Sequence, residues 1–419
     1  MYTNTKKNYS IGIGLLILVN LLFLMVGGPF FGIQSVGTYV LLPTMFLITI
    51  VRDRFTWDQG NFLIKVFAVY WLYSLVTVFY YVDLKGMIRD LSGLTGTLFA
   101  SYCALALNKR QDHENFYHWG YILAIVLLIA IEFLNGTFYV TAAGFQGAEV
   151  MISPETGPRL DRGIFLHNAN AYSYYSFFAN ISLFYLYLNY RNKFMFFLLV
   201  TLPVVFILFT FVTQSRSGLF LLIFSNVVFW IFINRNRNKN PLMKIGRFLV
   251  LISVIVFAAI RFITILENSE FINRMSTTEG STVERGNLIK EGIDMFLDAP
   301  IFGIGLGQFS HYSSTRQFSH NSFVEILAEQ GFIGGFFLMF IFGFPTLKSI
   351  KNLFYNPGNE LARLNFLFFL AFLLFNNVYV FYKFSFSMTY FFLIVAIQNK
   401  YEKSLVYNNN QYIVDNYVQ

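Results

Sequence analysis

Between Phe194 and Val212 the chain carries no charged residue, and comparable stretches recur along its whole length. As a helix, about 20 apolar residues reach across the roughly 30 Å hydrocarbon layer of a bilayer. Inside that layer every backbone N–H and C=O must find its partner within the protein, which leaves helices and closed barrels as spanning structures. The apolar runs here are continuous rather than alternating, so they predict helices. Composition agrees: 56% of the 419 residues are hydrophobic and 12% are charged, with 53 Phe and 26 Tyr. A soluble domain carries roughly twice that share of charge. A soluble all-α protein would have to bury nearly every helix on all sides, and that class is set aside.

Run length places about twelve spans, at 10–27, 36–51, 63–82, 91–107, 117–134, 169–189, 194–212, 217–234, 247–266, 323–347, 363–382 and 384–399. The expectation is an all-α polytopic membrane protein, with a single transmembrane domain over 1–403 and a polar, loosely ordered cytoplasmic tail over 404–419. The start of the chain is reminiscent of a signal peptide. However, Val26-Gly27-Gly28-Pro29-Phe30 leads into another apolar run without a small-x-small cleavage site, so it is read as a retained first span. The single cysteine, Cys103, falls inside a span and cannot form an intrachain disulfide.

The net charge of +8 does not point to nucleic acid, because its carriers follow a membrane pattern. One set of loops holds Lys6/Lys7, Arg52/Arg54, Lys109/Arg110, Arg191/Lys193, Arg235/Arg237/Lys239/Lys244, Lys348/Lys351 and Lys400/Lys403. The positive-inside rule assigns these loops, and both termini, to the cytoplasm. Two long loops, at about 135–168 and 267–322, then face outward. A loop as long as the second is usually functional or disordered. Within it Ser281-Thr282-Val283-Glu284 reads as a capping box. The helix that follows would set Ile289, Ile293, Phe296 and Leu297 on one face, against the membrane surface or the bundle, and Asp298-Ala299-Pro300 would end it.

The outward loops also gather the unusual side chains. Three of the five histidines, His167, His311 and His320, lie there, whereas His113 and His118 belong to a cytoplasmic loop and its edge. Arg159, Arg162, Arg216, Arg274, Arg285 and Arg316 sit on the face where arginine is disfavoured. Arg216 occupies a short turn, Thr213-Gln214-Ser215-Arg216-Ser217-Gly218, between two apolar runs without an acidic partner. It either snorkels to lipid headgroups or presents its fork to a phosphate, with Ser215 and backbone N–H groups at a helix start. The missing acidic partner favours the second. Arg159, Arg162, His167, Asn168 and Asn170 approach the next span together, and either asparagine taken alone reads as an ordinary helix cap. Arg285 lies near Glu284, Lys290 and Glu291, and spacing alone does not decide between a solvated ion-pair face and a ligand cation.

His320-Asn321 precedes an apolar helix, with Glu325 and Glu329 one and two turns further on. One reading makes this a helix N-terminus capped by Asn321 or Ser322. The other makes His320 a general base at the membrane surface, oriented or tuned by Glu325, with His311 the competing base. Gly303-Ile304-Gly305-Leu306-Gly307 has neither the spacing nor the βαβ context of a dinucleotide fingerprint. It predicts tight backbone turns close to other segments. The spacing of His167, His311 and His320 matches no compact metal-ligand motif, so neither a metal nor a cofactor is expected.

Four motifs in order carry a resemblance: Arg162-Gly163-Ile164-Phe165 running to Asn168 and Asn170; Ser215-Arg216-Ser217-Gly218; Arg285 heading a helix that closes on Pro300-Ile301-Phe302-Gly303-Ile304-Gly305-Leu306-Gly307; and His320-Asn321 before Glu329 and Gly331-Phe332-Ile333-Gly334. With them the chain resembles the O-antigen polymerase and O-antigen ligase family of bacterial envelope proteins. The resemblance covers the C-terminal two thirds; the first five spans match only in hydropathy. It implies a GT-C-like helical membrane glycosyltransferase in the bacterial inner membrane, with its site on the external face and no metal. The implied substrates are an undecaprenyl-diphosphate-linked oligosaccharide donor and acceptor, with membrane lipid around them and a chain-length regulator as a candidate partner. In that setting Arg216 and Arg285 would hold the diphosphate and His320 would activate the acceptor hydroxyl. Arg159, Arg162, Asn170, Ser215, His311, Arg316 and Asn321 would line the substrate site. Polymerase and ligase differ in acceptor, another lipid-linked repeat or the lipid A core. The sequence leans to polymerase through its divergence outside the motifs. A lipid-linked-oligosaccharide flippase would also have about twelve spans, but transporters place polar groups at midplane in related halves, whereas charge here clusters at the outer surface.

Overall fold

A computed structural model describes residues 2–27, 36–53, 62–108, 111–134, 138–141, 144–147, 150–153, 157–160, 169–212, 215–233 and 279–417. Its helices follow the apolar runs. They are α1 (Tyr2–Leu22, continued by a π-helical turn to Gly27), α2 (Leu42–Asp53), α3 (Phe62–Val76), α4 (Leu84–Leu107), α5 (Gln111–Leu134), α6 (Ala169–Tyr190), α7 (Lys193–Val212) and α8 (Arg216–Val228). After them come α9 (Glu279–Asp298), the short α10 (Phe309–Tyr312), α11 (Ser322–Tyr355), α12 (Glu360–Phe375) and α13 (Ser385–Tyr417). Among the described residues, three stretches are long and apolar enough to cross a membrane: His113–Leu134, Lys193–Thr210 and Ser322–Tyr355. Shorter apolar helices cover Ile11–Val26, Gly37–Val51, Phe62–Val76 and Ser217–Ile233. The expected span at 247–266 lies outside the described residues.

Polar side chains start several helices as capping chemistry dictates. Asp83 accepts from the Lys85 N–H at 3.0 Å ahead of α4, and Asn359 accepts from the Ala362 N–H at 3.0 Å ahead of α12. The aromatic surplus forms the core. Tyr174 of α6 meets Phe375 and Phe381 edge-on at 4.3 and 4.7 Å, and Phe178 stacks on Tyr390 at 5.0 Å. Edge-to-face and offset pairs add directional attraction to the area they bury.

The structure departs from the sequence expectations at definite places. The first long loop holds two antiparallel hairpins, β1–β2 (Phe138–Thr141, Gly144–Gly147) and β3–β4 (Val150–Ser153, Gly157–Leu160), so the all-helical bundle carries a small β appendage. The span expected at 363–382 stops at Phe375, where Asn376 turns its amide back to the Phe372 carbonyl at 2.8 Å. The tail expected to be irregular from 404 continues α13 to Tyr417. His113 and His118 are fully buried on α5 rather than at a loop edge; His118 Nδ1 lies 3.2 Å from the Ser182 hydroxyl.

The span expected at 323–347 is interrupted. Gly331 takes φ 63°, ψ −161°, which breaks α11 into Ser322–Gln330 and Phe332–Tyr355. A break strands backbone groups that must be paired elsewhere. The glycine-rich loop after α9 pairs them. Ile304 and Gly305 donate to the Ala328 and Glu329 carbonyls at 2.9 and 2.8 Å, and Tyr73 of α3 donates its hydroxyl to the Gln330 carbonyl at 2.8 Å. On the other side of the break Phe332 and Ile333 donate to the Pro300 and Ile301 carbonyls at 2.8 and 3.4 Å. Gly303 at φ 73° lies so close to Glu329 that a Cβ would collide with its carbonyl carbon. The predicted close turns at Gly303–Gly307 are thus present, and their role is to suture a broken helix.

Candidate functional site

The site is built where the N-termini of α4, α6, α8, α11 and α13 meet the C-terminus of α12. Ser215 precedes α8, and its buried Oγ accepts from the Ser173 hydroxyl of α6 at 2.9 Å. Gly218, one turn along, lies against Ser173 so tightly that a Cβ would overlap its side chain. The Ser-Arg-Ser-Gly turn is therefore clamped to the start of α6, with Arg216 as the first residue of α8. The Ser215 oxygen thus takes part in this clamp as an acceptor.

Ring contacts lead from α6 to the histidine. Tyr174 lies 5.7 Å from Tyr379, Tyr379 lies 6.3 Å from Phe318, and Phe318 lies 4.7 Å from His320. His320 sits in a left-handed backbone conformation, φ 57°, uncommon for a residue with a side chain. Its Nδ1 is buried without a hydrogen-bond partner among the described residues. Burial, and after it the charge of the Arg285 guanidinium, push the imidazole down to about 4. His320 is thus held neutral at physiological pH.

Arg285 reaches this place from α9 and is exposed, forming no salt bridge among the described residues. Glu291, one of the acids expected near it, accepts instead from the Ser314 hydroxyl and backbone N–H at 2.5 and 3.1 Å. Helix α9 docks through Leu288, Gly292 and Met295 onto Phe309, Val324 and Ala328. Of the two placements expected for its apolar face, the bundle is not the one found for Ile293 and Leu297, which are 47% and 65% exposed. The helix also begins at Glu279, so Ser281 lies inside it and does not cap it.

Other expected site residues take the following places. Asn321 is the N-cap of α11, its side-chain oxygen accepting from Phe323 and Val324 at 2.9 and 3.2 Å, so the capping reading holds. His311 is exposed on α10 and meets Tyr312 edge-on at 5.2 Å; Arg316, also exposed, takes φ 55° in the following turn. Arg159 lies on β4, opposite Met151, and Asn170 is the second residue of α6. Arg162 and His167 lie outside the described residues.

The sequence reading missed the most highly charged feature at this end. Lys383, between α12 and α13, is buried with its Nζ 2.6 Å from Asp90 Oδ2 of α4, 2.7 Å from Glu325 Oε1 and 2.7 Å from Glu329 Oε2. Arg89 adds a bond to the other oxygen of Asp90 at 2.8 Å. Glu325 does not touch His320 as expected. Its Oε2 accepts from the Ser319 N–H at 3.1 Å and the Ser319 hydroxyl at 3.2 Å. The three carboxylates are spaced as metal ligands could be, but the lysine ammonium sits among them. A signal was available in the sequence. Positive-inside topology puts Lys383 on the disfavoured face, and a lone ionisable residue between spans is a functional candidate by default; attention to arginines alone passed over it.

Comparison with known proteins adds to this geometry. Residues 201–339 match a family model described as O-antigen ligase. That segment contains Arg216, Arg285, His320, Glu325 and Glu329. The chain is also similar to the teichuronic acid biosynthesis protein TuaE of Bacillus subtilis (strain 168), with 23% identity over 300 residues. The match takes in 67% of this chain and 59% of that protein, less than two thirds of the relative's length. Over residues 201–339 the chain is similar to the O-antigen ligase family. The matched segment runs from the middle of α7 into the Phe332–Tyr355 part of α11 and holds both expected catalytic arginines and the histidine.

Proposed function

We propose that the chain is a metal-independent membrane glycosyltransferase that polymerises undecaprenyl-diphosphate-linked oligosaccharide repeat units into O-antigen, capsular or exopolysaccharide. It has about twelve membrane helices in a GT-C-like arrangement. It lies in the bacterial cytoplasmic membrane with both termini inside and its site on the external face. The observation that carries this reading is that the Arg285 charge acts both on the buried His320 and on Tyr174, whose hydroxyl pairs with Ser217 in the turn that bears Arg216.

In the reaction the acceptor hydroxyl oxygen attacks the anomeric carbon of the donor sugar. The bond from that carbon to the diphosphate breaks, and the electron pair leaves with undecaprenyl diphosphate. The hydroxyl proton passes to the neutral His320. A neutral imidazole is the form a general base requires. Charge grows on the departing diphosphate, and the guanidinium forks of Arg216 and Arg285 stabilise it. The test is extension of a purified lipid-linked repeat unit by the protein in proteoliposomes, read as a ladder of chain lengths. Transbilayer movement of substrate without a ladder would instead support a flippase.

A ligase remains the second reading, favoured by the matched family model, which is described as O-antigen ligase. The same site would then pass the glycan to lipid A core. Supplying both acceptors in one assay separates the two activities.

A further inference from the structure

We infer that Lys383 is a positioning residue that holds the His320 turn in place through Glu325. The inference rests on the proposed role of His320 as base. The connection is continuous. Lys383 Nζ binds Glu325 Oε1 at 2.7 Å, and the other oxygen of that carboxylate receives the Ser319 N–H and hydroxyl. The Ser319 hydroxyl oxygen in turn accepts from the Asn321 N–H at 3.1 Å, so the residues on both sides of His320 are tied down. His320 occupies a left-handed conformation, which is strained for a residue with a side chain and persists only where the surroundings over-determine it. The bonds from Glu325 are such surroundings.

Lys383 is itself fixed. Its backbone carbonyl lies against Gly93 of α4, where a Cβ would come within 2.8 Å. Its ammonium spans Asp90 of α4 and Glu329. Glu329 also accepts from the Phe309 N–H at 3.3 Å through its other oxygen. One buried cation therefore aligns three pieces of the site: the histidine turn, the start of α10 and the N-terminal part of α4. Without it three buried carboxylates would face one another, and Glu325 would have no reason to keep its oxygen on Ser319. The charged groups around His320 are Arg285 from α9 on one side and the Glu325–Lys383 pair behind its turn on the other.

The test uses the full-length protein in nanodiscs with ¹³C-labelled histidine, the His320 signal being assigned by its loss in His320→Gln. Lys383→Met and Glu325→Gln are compared with wild type for the His320 titration, and for kcat and KM in chain extension. We expect the His320 midpoint to rise toward the ordinary histidine value of about 6.5 in both variants. We also expect kcat to fall on the order of 10- to 100-fold, with the lipid-donor KM changed less than about twofold, since a base contributes about 10²–10⁴-fold. Glu325→Gln removes a negative charge from an acid-rich cluster and is the variant expected to fold if Lys383→Met does not. An unchanged titration and kcat in a folded variant would overturn the proposal, as would a loss confined to KM, or failure of both variants to accumulate, which would make the cluster a requirement of folding alone. If the wild-type protein extends no chain, the enzymatic reading fails, while the titration still reports whether Lys383 sets the environment of His320.

Discussion

Gly303 rests against the carbonyl carbon of Glu329, at the point where the loop after α9 meets the broken turn of α11. The contact leaves no room for a side chain, and φ at Gly303 is 73°. Gly303→Ala should therefore misplace the loop and release the Ala328 and Glu329 carbonyls from Ile304 and Gly305. Left-handed backbone alone costs roughly 1–2 kcal/mol for alanine. A fall of several degrees in the melting temperature of the detergent-solubilised protein is expected, whereas Gly286→Ala, in open space on α9, should leave it unchanged. Equal melting temperatures for the two variants would contradict the suture.

Arg216→Ala and Arg285→Ala should each lower chain extension by about 10²–10³-fold, the usual loss when one preorganised donor to a developing charge is removed. Membrane insertion and protein level should be unaffected for Arg285, which is exposed and forms no salt bridge among the described residues. Lysine at either position should recover little activity, because an ammonium lacks the planar fork. Full turnover in the alanine variants would remove both arginines from the site.

His320→Ala should cut turnover by about 10²–10⁴-fold and leave donor binding largely intact, whereas His311→Ala should do less. The pH dependence has a definite sign. The folded-state value of His320 is depressed to about 4 from an ordinary value near 6.5. The neutral base therefore persists well below pH 6.5, and the acid limb of kcat/KM should fall near pH 4 and vanish in His320→Gln. Because the unfolded chain binds this proton more readily, His320 favours the folded state above about pH 6.5, and that contribution is lost as pH falls toward 4. An acid limb centred near 6.5 would contradict the buried setting of the imidazole.

Exhaustive chelation should leave chain extension unchanged. The three carboxylates whose spacing would suit a metal ion enclose Lys383 instead, and the proposed charge stabilisation comes from arginine. Activity lost on EDTA treatment and restored by one divalent ion would overturn the metal-free mechanism.

Much of the fold was legible because hydropathy reports burial in a membrane so directly. The runs at 169–189 and 194–212 became α6 and α7 with ends within a residue or two. The break in α11 was not legible. Gly331 sits inside the expected span 323–347, and its conformation is decided by a loop that arrives from residues 300–305. Which face of α9 docks was not legible for a related reason. Ile289, Ile293 and Leu297 make a good apolar stripe, but the neighbours Phe309 and Val324 fit the narrow groove at Gly292. At the site, the unusual cations and His320 could be picked out by their position on the disfavoured face. Their neighbours could not, since Asp90 and Glu325 are brought together by Lys383 only after α4, α11 and α13 have packed.

The interruption at Gly331 also sets a mechanical boundary. An unbroken α11 would be a rod of about 51 Å at about 1.5 Å per residue, far longer than the roughly 30 Å hydrocarbon layer, and any tilt of its lower part would swing the upper end. Divided at Gly331, the stretch Phe332–Tyr355 has a length of about 36 Å, close to what a slightly inclined span requires. The Ser322–Gln330 stretch is bolted separately, to Lys383 and to the Pro300–Gly305 loop. The lower rod can thus follow local changes in bilayer thickness by leaning, while the histidine turn above the joint keeps its aim.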